Sequence, residues 1–329
     1  MKASDKDGRE QGDRPIRVGV SACLLGQKVR YDGGHKHDRY LTDLLGAHCE
    51  FVPVCPELEV GMGVPREAVR LLGSVEAPRM VGRRTGEDWT ARMNRCVARR
   101  VAQLETMELS GYILKKDSPS CGMERVKVYG EGEGALPDKT GRGLFARALM
   151  ERLPLLPVEE EGRLNDARLR ENFIVRVFSY HRLQDLFRGR WKRGRVVSFH
   201  AAHKLLLMAH SPAHYAELGR LVARVKDLPP AEFRARYSAA FMAGLQVRAT
   251  ASKHANVLQH VVGYLRDHVD PAERDDILSV IEDHRRGIVP LIVPMTLVRH
   301  YVRKHAIAYI ADQTYLNPHP KELMLRNHV

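Results

Sequence analysis

Ile16-Arg17-Val18-Gly19-Val20-Ser21-Ala22-Cys23-Leu24-Leu25-Gly26 decides how the first half of this chain is read. The apolar run Ile16 to Val20 reads as a buried strand, and a cysteine follows it in a turn closed by glycine. The pattern recurs twice. Phe51 to Val54 leads into Cys55-Pro56-Glu57, and Tyr112 to Leu114 leads into Lys116-Asp117-Ser118-Pro119-Ser120-Cys121-Gly122. Strands lying parallel in one sheet would release all three thiols at its carboxyl edge, where open α/β sheets carry their binding crevices. Two readings of the cysteines stand side by side. A free cysteine is often a small buried hydrophobe, but the Gly or Pro just past each strand suits a loop, and with it a shared metal or cluster site. No Cys-x-x-Cys pair is present, so a zinc ribbon is not indicated.

At 329 residues the chain is too long for one ordinary core, which suggests two domains. Charge divides unevenly between them. Residues 1–160 carry 26 Lys and Arg against 24 Asp and Glu, whereas residues 161–329 carry 27 against 16, a net of +11. A basic half joined to a nearly neutral one points to a polyanionic partner, with general solubility as the plainer explanation. Five cysteines without a regular framework fit a reducing cytoplasm better than a secreted disulfide scaffold. Residues 1–15 read as a flexible charged tail without the apolar core of a signal peptide. The longest apolar run, Ile288 to Val298, is too short for a membrane span and contains Pro290 and Pro294.

The spacing of Met93, Val97, Val101 and Leu104 predicts an amphipathic helix over residues 91–109, with Cys96 on its inner side and Arg92, Arg95 and Arg99 on another face. Cys49 lies outside the recurring motifs and reads as structural. Arg30 to Lys36 forms a polar loop around Gly33-Gly34, with His35 and His37 read as substrate contacts or as simply exposed. Residues 130–143 form a glycine-rich connection that lacks both the dinucleotide and the Walker patterns. A boundary is expected after Leu153-Pro154-Leu155-Leu156-Pro157, giving an α/β domain with a mainly parallel sheet over 16–160 and an all-α domain over 161–329. Arg188, Arg190, Trp191, Lys192, Arg193 and Arg195 form the most basic stretch. Its cations can neutralise phosphates and its tryptophan can stack on a base; a solvated loop between helices explains the charge but not the tryptophan. His200, His203, His210 and His214 follow on a helix, where packing or RNA contact is the default and no zinc protease motif is completed.

The segments VGVSACLLG (residues 18–26), VPVCPELEVGMGVPRE (52–67) and KKDSPSCG (115–122) closely resemble the thiouracil desulfidase family, over about residues 16–158. The remainder resembles the YbgA-like domain, which is fused to such desulfidases in enzymes that remove sulfur from 4-thiouridine in transfer RNA. The resemblance implies that Cys23, Cys55 and Cys121 hold a [4Fe-4S] cluster whose fourth iron has no protein ligand. It implies catalytic roles for Glu57 and Ser118, with Glu57 as general base in a hydrolytic, non-redox release of hydrosulfide. It also implies transfer RNA containing 4-thiouridine as partner. On residues alone, Glu57 after Pro56 equally reads as a helix-start carboxylate, and Ser118 before Pro119 as a turn residue. Lys115 and Lys116 read either as phosphate contacts or as exposed charges. Two other functions stay open: a desulfidase of free thiouracil or thiolated nucleosides, and an RNA-binding protein with a structural cluster.

Overall fold

The computed structural model describes residues 14–130, 132 and 136–328. Its strands are β1 (Arg17–Ser21), β2 (Glu50–Val54), β3 (Val69–Leu72), β4 (Arg79–Gly82), β5 (Gly111–Leu114), β6 (Val126–Tyr129), β7 (Asp138–Gly141) and β8 (Val158–Glu160). Its helices are α1 (Pro56–Glu59), α2 (Thr90–Thr106), α3 (Leu144–Arg152), α4 (Ala167–Leu186), α5 (Arg193–His210), α6 (Pro212–Ala223), α7 (Pro230–Gln246), α8 (Ala251–Leu265), α9 (Pro271–Arg285), α10 (Ile292–Lys304) and α11 (Ala308–Ala311).

The main sheet has the order β2-β1-β5-β8, with every pairing parallel. β1 is central: Val20 lies level with Pro53 on one side and Ile113 on the other. Val18 and Val20 are fully buried, as the continuous apolar run requires of a strand covered on both faces. Gly19 lies against the ring of Tyr112, where any side chain would collide. The α/β architecture with a mainly parallel sheet, followed by helices alone, is therefore the one the strand–cysteine pattern anticipates.

A second sheet, β4-β3-β6-β7, does not follow from that pattern. Its strands have four residues each, and β3 and β6 alternate buried with less buried positions (Val69 and Leu71 around Arg70, Val126 and Val128 around Lys127), too short a signal to stand out. The stretch 130–143, read as a connection, contributes β7 to this sheet, while residues 131 and 133–135 lie outside the described residues. Residues 1–13 of the expected tail lie outside them as well. Arg14, from the same expected tail, is docked: its guanidinium bonds Asp185, Gln184 and His181 on α4 and the carbonyl of Glu108.

α2 forms close to its predicted span and buries Met93, Cys96, Val97, Val101 and Leu104. Beyond β8 the described chain is helical throughout. Asp166 caps α4 by accepting from the amides of Arg168 and Leu169. α4 serves both halves. Phe173, Ile174, Val177 and Phe178 pack with Val18, Val20 and Ile113 of the main sheet, while Val175, Leu183 and Leu186 join the helical core. Gly111 on β5 permits this approach, since a methyl there would come within 2.7 Å of Val177. No helix among the described residues is long and apolar enough to cross a membrane.

The histidines of α5 are interior groups. His200 bonds the hydroxyl of Tyr237 at 3.3 Å, His203 donates to the carbonyl of Phe199 at 2.7 Å, and His210 donates to the carbonyl of Val247 at 2.7 Å. His214 instead meets the hydroxyl of Ser211, the cap of α6. Burial drops His200 and His210 from 6.5 to about 4, so the fold holds them neutral. The unfolded chain binds more protons between those values. Stability from these groups is complete above about pH 6.5 and declines as the pH falls towards 4, by on the order of a few kcal/mol per histidine. Chemical denaturation followed at a series of pH values should show this loss, and replacing His200 with Gln should shrink it.

Candidate active site

Because β1, β2 and β5 run the same way, the segments that follow them meet at one edge. Cys23 sits in the 3-10 turn after β1, Cys55 is the cap of α1 directly after β2, and Cys121 closes the loop after β5. All three are free thiols, and all three line one cavity of about 520 Å³ with Ser21, Glu57, Arg66 and Ser118. The other two cysteines stay out of it. Cys96 is inside the α2 core and Cys49 packs beside the core under β1.

The Cys121 loop is held from below by α3. The first amides of that helix, which have no partner within it, donate to the loop: Leu144 to the carbonyl of Pro119 at 3.1 Å, and Phe145 to that of Ser120 at 3.0 Å. Gly143 makes this docking possible, since a Cβ there would run into the Ser120 carbonyl and lie 2.8 Å from the Cys121 amide. Ser21 fastens the edge from the other side, accepting from the Lys115 amide at 3.0 Å. Within the loop, the Ser118 hydroxyl accepts from the amides of Ser120 and Cys121.

Glu57, the second residue of α1, is held at both oxygens. Arg66 donates to Oε2 through Nε at 3.1 Å and through Nη2 at 2.5 Å, and the Ser120 hydroxyl donates to Oε1 at 2.7 Å. The side chains of the Arg66–Glu57 pair are only 6% and 14% exposed. Arg66 also donates to the carbonyl of Val29, so one guanidinium ties the loop after Cys23 to the helix after Cys55. Ser118 does not touch Glu57 directly; it hydrogen-bonds Ser120 at 3.0 Å, and Ser120 completes the chain to the carboxylate. Arg66, Ser120 and Ser21 are thus part of the site without standing out in the sequence, although each lies within or beside a cysteine motif. Lys115 is engaged with Glu161 at 2.5 Å, whereas Lys116, Tyr31, His35 and His37 are exposed.

Burial raises all three thiols, Cys23 to about 11, with smaller influences from nearby charge at Cys23 and from hydrogen bonds at Cys55 and Cys121. Thiols in that state bind metal only as their protons leave. Among the described residues no three His, Cys, Asp or Glu side chains come together tightly enough for one metal ion. Three free thiols from separate segments at one cavity fit a polynuclear iron–sulfur group, which spreads its thiolates over separate irons.

The basic stretch is not part of this cavity. Arg188 pairs with Glu108 at 3.0 Å, three residues before β5 begins, and so lies towards the amino edge of the sheet, opposite the thiols. Trp191 is packed against Phe187 and Phe233, with ring centroids 5.4 and 5.6 Å away, and core packing rather than a free stacking surface accounts for it. Arg195 reaches the carbonyl of Asp185 at 3.4 Å. Arg190, Lys192 and Arg193 are exposed.

A family model described as 2-thiouracil desulfurase matches residues 18–161, and one described as a protein of unknown function (DUF1722) matches residues 204–320. The chain is 31% identical over 165 residues to the uncharacterized protein YbgA of Escherichia coli (strain K12), spanning 50% of this chain and 98% of that protein. It is 33% identical over 108 residues to the uncharacterized protein YbbK of Bacillus subtilis (strain 168), spanning 31% of this chain and 71% of that one. The chain belongs to the 2-thiouracil desulfurase family. A solved structure titled [4Fe-4S]-dependent thiouracil desulfidase TudS is 33% identical and covers 47% of this chain and 97% of its own, with a TM-score of 0.38. The desulfurase match ends one residue past β8, and the DUF1722 match begins within α5.

Two substitutions test how the site is supported. Arg66→Gln strands the Glu57 carboxylate in a half-buried position and should lower stability by about 3 kcal/mol, read from denaturation at pH 7. Gly143→Ala overpacks the Cys121 loop and puts a poor residue at the cap of α3, and should cost about 1–3 kcal/mol by the same measurement.

Proposed function

We propose that the protein is an iron–sulfur-dependent desulfidase that replaces the sulfur of a thiolated uracil ring with oxygen, and that its substrate is 4-thiouridine in transfer RNA in the cytoplasm. The observation that carries the reaction is a carboxylate fixed at the cavity shared by three free thiols from three strand ends. Cys23, Cys55 and Cys121 would hold a [4Fe-4S] cluster with one iron free of protein ligands. When bound, that group supplies a soft Lewis acid that accepts sulfur and makes the ring carbon electrophilic.

The chain's own residues supply the proton chemistry. Glu57 takes a proton from the attacking water and returns it as sulfur departs, so that a thiocarbonyl and water become a carbonyl and hydrogen sulfide with no net electron transfer. Arg66 holds Oε2 and stabilises the charged carboxylate, while Ser120, oriented by Ser118, fixes Oε1.

The transfer RNA reading is supported by the +11 charge of residues 161–329 and by the exposed Arg190, Lys192 and Arg193. A recessed site requires the base to be extruded, at a cost of a few kcal/mol that phosphate contacts help offset. One observation favours the second reading, a desulfidase of free thiouracil. Every residue lining the cavity lies between Ser21 and Tyr129, so the helical half does not shape it.

Turnover compared on thiolated transfer RNA, 4-thiouridine and free 2-thiouracil separates the two, with transfer RNA expected to be preferred and its binding to weaken steeply with salt. Replacing Arg190, Lys192 and Arg193 together with Ala should flatten that salt dependence. Equal rates on free base and transfer RNA would assign the small molecule instead. In the same assays Glu57→Gln should load iron normally yet lose on the order of a hundredfold in rate, and Cys55→Ala should lose iron. Full iron content in Cys55→Ala would overturn the ligand assignment.

A further inference from the structure

One carboxylate of the thiol cavity has no part in the reaction described above. Asp117 lines the cavity from the loop after β5, four residues before Cys121. Glu57, the other carboxylate of the lining, is held at both oxygens. Asp117 is exposed, and among the described residues its side chain forms no hydrogen bond or ion pair. Counter-charges are at hand, since Lys36, Lys116 and Lys127 line the same cavity without a carboxylate partner. None of them takes up the Asp117 carboxylate, which stays open to whatever enters the cavity of about 520 Å³.

The backbone accounts for this. Asp117 is left-handed, with a φ of 59°. Glycine enters that region without steric cost, and aspartate is one of the few other residues that tolerate it. The conformation is imposed from both sides. Before Asp117, the amide of Lys115 donates to the Ser21 hydroxyl at 3.0 Å and that of Lys116 to the Glu161 carboxylate at 2.8 Å. After it, the Ser118 hydroxyl accepts from the amides of Ser120 and Cys121, and the Leu144 amide of α3 donates to the carbonyl of Pro119. A residue strained between anchored neighbours at the wall of a reaction cavity marks a position kept for its side chain, because glycine would fit the backbone better.

The chemistry of the ring shows what that side chain can read. A carboxylate only accepts hydrogen bonds. In a thiolated uracil nucleoside N1 carries the ribose, so N3–H is the one donor of the ring. N3 lies between C2 and C4 and flanks the thiocarbonyl whichever of those carbons bears the sulfur. A cytosine-type ring instead has a lone pair at N3, which a carboxylate repels.

We propose that Asp117 selects the base, accepting a hydrogen bond from N3–H of the thiolated ring and so admitting uracil-type rings while rejecting cytosine-type ones. This rests on the desulfidase reading and adds to it a contact with the ring edge, distinct from the proton chemistry of Glu57.

The test compares 2-thiouridine with 2-thiocytidine, which carry sulfur on the same carbon and differ at N3 and at the C4 substituent. Each is supplied to the iron-loaded full chain as a nucleoside and at one position of a synthetic transfer RNA. The parent should favour 2-thiouridine at least a hundredfold in kcat/KM, because a site built around one hydrogen bond discriminates strongly against a ring that cannot make it. Asp117→Gly suits the backbone and should match the parent in stability and iron content. It should lose tenfold or more in kcat/KM on 2-thiouridine. Asp117→Asn keeps the shape, and its amide can donate to a lone pair, so it should also narrow the preference over 2-thiocytidine at least tenfold. Parent-like rates and preference in both variants, or comparable turnover of the two rings by the parent, would overturn the proposal and leave the desulfidase reading intact. Loss of iron or of stability in Asp117→Gly would make the position structural and overturn it too. Absence of turnover by the parent on either ring and on transfer RNA containing 4-thiouridine would overturn both readings.

Discussion

Parallel hydrogen bonding of β1 to β2 on one side and to β5 on the other is the constraint on which the site depends. The register sets Ser21 level with Val54, and Val20 level with Ile113, so the three segments leave the sheet together. Cys23, Cys55 and Cys121 are separated by 32 and 66 positions, and the sheet brings them together, with Arg66 and Ser120 bridging their loops. A slip of one residue in β1 would put a valine where Gly19 now lies against the ring of Tyr112 and would move Cys23 away from its partners. The buried valines and the close approach of Gly19 to Tyr112 oppose that slip, and core packing thereby specifies a chemical site.

Much of this was legible in the sequence because it rests on short-range pattern. Apolar runs ending in cysteine marked β1, β2 and β5, and periodic Met93, Val97, Val101 and Leu104 marked α2. The parts that were not legible depend on distant partners. Arg66 stands nine residues after Glu57 and Ser120 sixty-three after it, and only the fold brings both to one carboxylate. Trp191 misled for the same reason: its neighbours in sequence are charged, but its neighbours in space are Phe187 and Phe233. The second sheet escaped because four-residue strands give too few alternations to distinguish them from loops.

The two halves handle polar groups differently. Around the cysteines, the principal charged group is matched: Glu57 has Arg66 and Ser120. In the helical half, imidazoles and guanidiniums are taken into the interior with few carboxylates, and burial keeps the imidazoles neutral. Such interior basic groups make the helical half the more sensitive to acid.

α4 gives the molecule a fixed internal measure. It starts at Ala167, seven residues after β8 reaches the carboxyl edge of the sheet, and ends at Leu186, beside Glu108 and Arg14 at the amino edge. Twenty helical residues span about 30 Å. Because the helix is embedded in the cores on either side, the exposed arginines after it and the thiol cavity are held apart like the jaws of a caliper set to one opening. A single nucleoside cannot touch both ends. A molecule must be long enough to span that distance to touch both, so any contribution of the distal arginines to substrate choice selects for length before it selects for the base.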